Sequence, residues 1–144
     1  MKSFLPSLPG DDREWRLLDA AGQPVGRLAV KIANILRGRD KPTYSPQVDT
    51  GAFVVVVNAA KVKFTGRKDE QKTYTRYSRW PGGLKKTTPA MMRERHPDRI
   101  IHLAVKGMLP SNTTSRKMAS RLKVYAGETH PHAAQFANRA SSAK

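Results

Sequence analysis

Apolar residues fall at positions 25, 28, 29, 32, 33 and 36, the spacing of one face of an α-helix. Arg27, Lys31 and Asn34 line the opposite face at i, i+4 and i+7, and Gly38 is placed to stop the helix. Upstream, residues 15–20 form a short apolar run that includes Asp19, and Gly22, Pro24 and Gly26 punctuate the turn between the two. Downstream, "FVVVVNA" is a continuous β-branched run, the pattern of a strand covered on both faces in a parallel sheet. Residues 61–65 alternate basic and apolar, so they either extend that strand or turn away from it. "KTYTRY" alternates as well and predicts an edge strand. Thr88-Pro89 reads as an N-cap with proline at the first helical position, opening a short helix through Met91 and Met92. A further helix begins at Pro97-Asp98, buries Ile100, Ile101, Ala104 and Val105, and ends at Gly107. A short basic helix over 115–120 and a strand in "RLKVYAG" complete the series. Strand, helix and strand at the start, with buried strands later, predict an α/β sandwich of helices on a small parallel sheet. No repeat or linker divides the chain. It reads as one domain over 1–144, with an N-terminal arm at 1–14 and a loose tail at 136–144.

Charge changes this picture from a fold to a partner. The 144 residues carry 27 Lys+Arg against 11 Asp+Glu, a net charge of +16 that repels itself unless a polyanion neutralises it. Residues 1–25 hold three basic and four acidic side chains, so the positive field belongs to the body from Gly26 onward. Basic clusters recur at Arg37/Arg39/Lys41, Arg67/Lys68, Arg76/Arg79, Lys85/Lys86, Arg93/Arg95, Arg116/Lys117 and Arg121/Lys123. A single charge run is usually a solvated face, but the acids here are too few to pair with so many. Residues 73–86, "TYTRYSRWPGGLKK", add Tyr74, Tyr77 and Trp80 to four cations without one acid. Cations neutralise phosphates, and flat side chains stack on unpaired bases or support the loop from beneath. Core packing of Tyr74 and one other aromatic is an equally good reading from sequence alone. An anionic membrane fits less well, because the longest apolar run, 53–57, is far too short to span a bilayer. The start "MKSFLPSLPGDD" has neither a secretory apolar region nor an Arg/Ser-rich presequence, which favours a bacterial cytoplasm and leaves an organellar origin open.

Candidate chemistry weakens on inspection. "DAAGQPVGR" has the strand–turn–helix context of a phosphate site, but the second glycine of G-x-G-x-x-G is missing and no G-x-x-x-x-G-K-[ST] occurs. The acidic ribose partner expected about twenty residues on falls near Asp40, inside a basic loop. A tight turn offering a nucleic acid phosphate to Arg27 is the better reading. His130 and His132 sit in "THPHAAQ", where Pro131 forces extended geometry; with no cysteine and four histidines, hydrogen bonds to RNA or a packed terminal loop outweigh a zinc site. No serine occupies a G-x-S-x-G elbow and no carboxylate pair sits in apolar context, so catalysis, metal and cofactor find no support.

One family joins these segments. "W-R-L-L-D-A", "G-R-L-A", "L-R-G", "V-V-N-A", "T-G-R-K", "K-T-Y", "P-G-G-L-K", "A-V-K-G-M-L-P" and "L-K-V-Y-A-G-E-T-H-P-H-A-A-Q" follow in order from Trp15 to Gln135. Any one is weak; their order and spacing resemble the large-subunit ribosomal protein thirteen family in its bacterial form. The resemblance implies a three-layer α/β/α fold with a four-stranded parallel sheet, basic loops and a C-terminal extension. It also implies a structural role binding 23S-type ribosomal RNA early in subunit assembly, beside neighbouring large-subunit proteins, with no enzymatic activity, cofactor or small-molecule substrate. It places Arg27, Arg37, Arg67, Lys68, Lys85 and the basic helix after "G-M-L-P" against RNA. With the basic and aromatic clusters, the expected RNA-binding set is Arg27, Lys31, Arg37, Arg39, Lys41, Arg67, Lys68, Arg76, Arg79, Trp80, Lys85, Lys86, Arg116, Lys117, Arg121, His130 and His132. The chain departs from the family at Tyr77-Ser78-Arg79-Trp80, where His-Ser/Thr-Gly-Tyr/His is frequent, and at Thr114-Ser115-Arg116, where Leu-Gly-Arg is common. Ala52 stands where Asp is usual, and Phe136 where Pro often follows the glutamine. Two other classes compete: an enzyme on nucleotides using the Gly22–Gly26 turn, which lacks an acid, base or metal constellation, and a freestanding RNA-binding regulator of the same fold.

Overall fold

The computed structural model describes residues 5–6 and 13–142. In chain order they form β1 (Trp15–Asp19), α1 (Val25–Arg37), β2 (Phe53–Val57), a 3-10 turn (Ala59–Lys61) and α2 (Lys68–Gln71). There follow β3 (Tyr74–Tyr77), β4 (Leu84–Thr87), α3 (Pro89–Arg95), α4 (Pro97–Met108), α5 (Thr113–Ser120), β5 (Leu122–Val124) and α6 (Ala133–Ser142). The arm read over 1–14 lies largely outside the described residues, as do 143–144.

β2 is the central strand of a parallel sheet ordered β1-β2-β5, with Trp15 opposite Phe53 and Val54 opposite Leu122. Val54, Val55 and Val56 are fully buried. A strand with neighbours on both edges and cover on both faces has no solvent side, which is why its sequence shows no alternation. Val54 and Val56, with Leu18, Leu122 and Val124, join the main core beneath α1 and α4. Leu28, Ile32 and Leu36 of α1 meet Ile100, Ile101 and Val105 of α4 there, each contributing about 1.5–3 kcal/mol by leaving water. The opposite sheet face carries Trp15 stacked on Phe53, ring centroids 4.3 Å apart, and the C-terminal segment covers it through His132 and Phe136.

Local signals set the element ends. α1 stops at Gly38, whose φ of 74° lets Arg39 N–H reach back to Asn34 O at 2.9 Å. Thr88 Oγ1 accepts from Met91 N–H at the start of α3, and Asn112 Oδ1 accepts from Ser115 N–H at 2.8 Å at the start of α5. α4 runs one residue beyond Gly107, to Met108.

Two expectations change. The parallel sheet has three strands among the described residues, not four. Residues 61–65 turn away from β2 and pair only through a single bridge, Pro24 to Lys63, while the 74–77 strand pairs antiparallel with β4 instead. Pro81-Gly82-Gly83 closes a hairpin and so supplies this strand with a partner adjacent in the chain. Second, the segment read as a loose tail after Gln135 is helical as far as Ser142, and Phe136 rests edge-on against Trp15 at 6.3 Å. That aromatic contact gives the extension an anchor.

Candidate nucleic-acid interface

The β1–α1 turn brings the first basic group together. Pro24 precedes α1 without a side-chain cap, and the first turn contains no acid. Gly26 and Arg27 therefore present amides for which the helix supplies no acceptor, at the positive end of its dipole. Val25 N–H is taken by Lys63 O at 3.0 Å, which pulls the 61–65 segment beside the helix start. Arg27 and Lys68 then line one cleft of about 430 Å3 with Gly26, Phe64 and Thr65. Exposed Lys61 and Lys63 flank it from a second depression shared with Phe64, Asp69 and Arg93. Neither lysine belongs to the predicted set, although their alternation with Val62 and Phe64 is visible in the sequence. Only the Pro24–Lys63 bridge shows which element they accompany.

Asp19, the carboxylate at this end of the sheet, is occupied. Its Oδ1 accepts from Ala21 N–H and Asn58 Nδ2, both at 2.9 Å. The Ala21 amide, then Asn58, aided by the charge of Lys61, hold the carboxyl below the ordinary Asp range. Such a group stitches two turns and is a poor general base. Asp40 pairs with Arg16 at 2.7 Å, so the carboxylate near the expected ribose position is also engaged.

Beyond the far end of α1 the predicted cations divide. Arg39 is exposed and borders a shallow cavity with Asn34 and Asp40. Arg37 donates to Tyr44 Oη at 3.4 Å and Lys41 to Thr50 O at 3.1 Å, so both are half-buried and hold the following loop. Arg121 is a correction. It is 6% exposed, and its two terminal nitrogens bind both carboxylate oxygens of Asp49, with Nη2 also donating to Leu36 O at 3.0 Å. A guanidinium spent on a buried ion pair cannot meet RNA; its neighbour Lys123 is only half-buried.

The hairpin stands differently. Arg76, Tyr77, Arg79, Trp80, Lys85 and Lys86 are all exposed. Gly83 N–H bonds Trp80 O at 2.9 Å, with Pro81 and Gly82 (φ 75°) at the two central positions of a type II turn. Only glycine takes that φ without strain, and a Cβ on Gly83 would lie 2.9 Å from Trp80 O and collide with Ser78 Oγ. Arg67 and Lys68 at α2, and Arg116 and Lys117 on α5, are exposed too. None of these cations forms an ion pair among the described residues.

The histidines face inward. His132 Nε2 lies 2.8 Å from Tyr125 Oη, and its ring centroid is 5.1 Å from Trp15. Burial, then the charges of His130 and Lys123, push its imidazole below the ordinary His value. His130 Nδ1 accepts His132 N–H at 3.2 Å, and its ring packs on Phe136. The packed terminal loop is therefore the better account of both. Among the described residues no group of three or more His, Cys, Asp or Glu side chains could hold a metal ion.

The clustered cations coincide with a family match. The model of ribosomal protein L13 matches residues 13–131. The chain belongs to the ribosomal protein L13 family. Similar curated proteins are named large ribosomal subunit protein uL13. The one from Synechocystis sp. is 52% identical over 134 residues, covering 93% of this chain and 89% of the relative. That from Herpetosiphon aurantiacus is 53% identical over 135 residues, covering 94% of each. That from Chloroflexus aggregans is 51% identical over 135 residues, again covering 94% of each. The L13 family consists of structural components of the large ribosomal subunit rather than enzymes. No helix among the described residues is long and apolar enough to cross a membrane.

Proposed function

We propose that this chain binds 23S-type ribosomal RNA within the large ribosomal subunit, beside neighbouring subunit proteins, and supports early subunit assembly in a bacterial cytoplasm. The observation that carries the reading is uncompensated charge on an exposed surface. Arg27 with Lys68 at the α1 cleft, Arg76 and Lys85 on the hairpin, and Arg116 and Lys117 on α5 have no acid partner among the described residues. Phosphates supply the missing anions, and the +16 net charge provides long-range attraction.

Binding of the full chain to large-subunit RNA, measured against salt, tests the electrostatic part. With ~6–10 phosphate contacts, affinity falls roughly 10³–10⁵-fold between about 50 and 200 mM salt. A nearly flat titration refutes it. Sedimentation of native lysate tests the location: the chain should travel stoichiometrically with large subunits. Recovery in the slowly sedimenting fraction would favour a freestanding RNA-binding regulator. Depletion should accumulate incomplete large subunits, and their absence would remove the assembly role.

A further inference from the structure

We propose that the β3–β4 hairpin is a stacking platform for unpaired nucleotides, with Trp80 and Tyr77 carrying bases and Arg76, Arg79 and Lys85 the adjoining phosphates. The inference rests on the RNA-binding reading above and specifies the kind of RNA this one element takes. It begins with what the hairpin leaves open. Trp80 is 76% exposed, Tyr77 58% and its cross-strand partner Leu84 54%, so the aromatic faces are spent on nothing in the free fold. A two-stranded ribbon is marginal on its own, and this one carries two further burdens. Arg76 lies directly opposite Lys85, a like-charge pair that opposes pairing. Arg79 takes a left-handed backbone conformation, φ 67°, which a residue with a side chain adopts at a cost.

Each burden makes sense with an anionic, flat-faced partner. Phosphates between Arg76 and Lys85 convert repulsion into two attractions. The left-handed Arg79 and the type II turn fix the backbone from which Trp80 projects, so little freedom remains to be lost on stacking. Arg76, Tyr77, Ser78, Arg79, Gly83 and Lys85 together line a shallow depression of about 410 Å3 beside the tip, where a nucleotide's sugar and phosphate fit.

Duplex RNA can use the cations of this surface but not its aromatic faces. Its major groove is too deep and narrow for side chains to read, and its bases hide their faces in the stack, leaving Trp80 and Tyr77 nothing planar to cover. Splayed bases of a loop or bulge expose those faces, and each stacked base is worth roughly 5- to 150-fold in affinity. An apolar protein surface would cover the tip but leave Arg76 and Lys85 facing each other unneutralised.

The chain has two tryptophans, and Trp15 is stacked on Phe53 away from the hairpin. Trp15→Phe therefore leaves Trp80 as the single tryptophan reporter in the full-length protein. The probes are a short oligoadenylate and a perfect RNA duplex of equal nucleotide count, titrated at the same series of salt concentrations. Oligoadenylate should quench Trp80 emission and the duplex should not. In the otherwise native chain, Trp80→Ala should weaken oligoadenylate binding about 5- to 150-fold while changing duplex affinity by less than about twofold. Trp80→Phe should retain most of the single-strand affinity, and the thermal midpoint of the free protein should stay put in both variants. Equal losses on both RNAs overturn the proposal. So does unchanged oligoadenylate affinity, which would assign the tip to a protein neighbour. If the native chain binds neither RNA with a steep salt dependence, the broader RNA-binding reading fails; if that dependence persists without the Trp80 effects, only the stacking platform fails.

Discussion

Removing Asp49 should be far more damaging than removing any exposed charge. Asp49 is 8% exposed and Arg121 6%, and both oxygens of the carboxylate are taken by the guanidinium, with Nη2 to Oδ1 at 2.6 Å. Asp49 Oδ1 also accepts Gly51 N–H at 3.3 Å, and Arg13 lies 3.6 Å away while donating to Gly51 O. The cluster ties the loop after α1, the end of α5 and the entry to β1 together. In Asp49→Ala the Arg121 charge stays buried with Leu36 O as its main partner, and its Nε already has none. Breaking a buried pair from one side costs ~3–5 kcal/mol, since the stranded charge keeps its desolvation penalty. At this chain length that corresponds to a fall in Tm of roughly 10–15 °C, read by calorimetry or urea unfolding. Asp49→Ala with Arg121→Met should recover much of the loss, because no charge is left unpaired. The linked pH effect has a definite sign. Burial pushes the Asp49 carboxyl up, but the hydrogen bonds and charge of Arg121, with Arg13 and the Gly51 amide, outweigh it and hold the carboxyl low. A folded-state value below the unfolded ~3.9 adds stability that is complete above pH ~4 and drains as pH falls through the folded value. Asp49→Ala should lose this acid-side slope. A variant within about 1 kcal/mol of the native chain, or an unchanged acid limb, would refute the reasoning.

Replacing Arg76, Arg79, Lys85 and Lys86 together by Ala should leave free stability within about 1 kcal/mol while lowering the salt slope of RNA binding by ~0.7–0.9 per lost phosphate contact; both are read from urea unfolding and salt titration. Asn112→Ala removes the 2.8 Å cap of α5 and should cost about 1 kcal/mol in urea unfolding, with Asn112→Asp nearly neutral. Added Zn²⁺ should leave Tm unchanged to within about 2 °C, because His132 is engaged with Tyr125 and a closed site needs four ligands; a large rise would restore the histidine pair as a metal site.

Much of the architecture was legible because it is written in near-neighbour spacing. The apolar positions of α1 are those the core buries, with Ile35 added at its edge. The unbroken valines of β2 required a strand closed on both faces, and Gly38, Thr88 and Pro89 marked element ends by local chemistry. The excess of cations over acids was likewise legible before any fold was known, and it predicts an anionic partner. β4 escaped notice because "LKKT" has no apolar periodicity and becomes a strand only when the turn at Pro81-Gly82 lays it against β3.

What spacing could not decide was which cation faces which partner. Arg121 and Lys123 read as one basic run, but chain path sends the first into Asp49, 72 residues away, and leaves the second half-buried on β5. Lys61 and Lys63 come to flank the α1 cleft only because the chain turns after Val57 and bridges to Pro24. The histidines likewise look available in sequence and are turned onto Trp15, Tyr125 and Phe136 by the returning C-terminal segment. A side chain's charge and helical or strand face follow from its neighbours along the chain. Its burial and partner follow from contacts closed over many tens of residues, so net charge was fixed by composition while its distribution over the surface was decided by the tertiary fold.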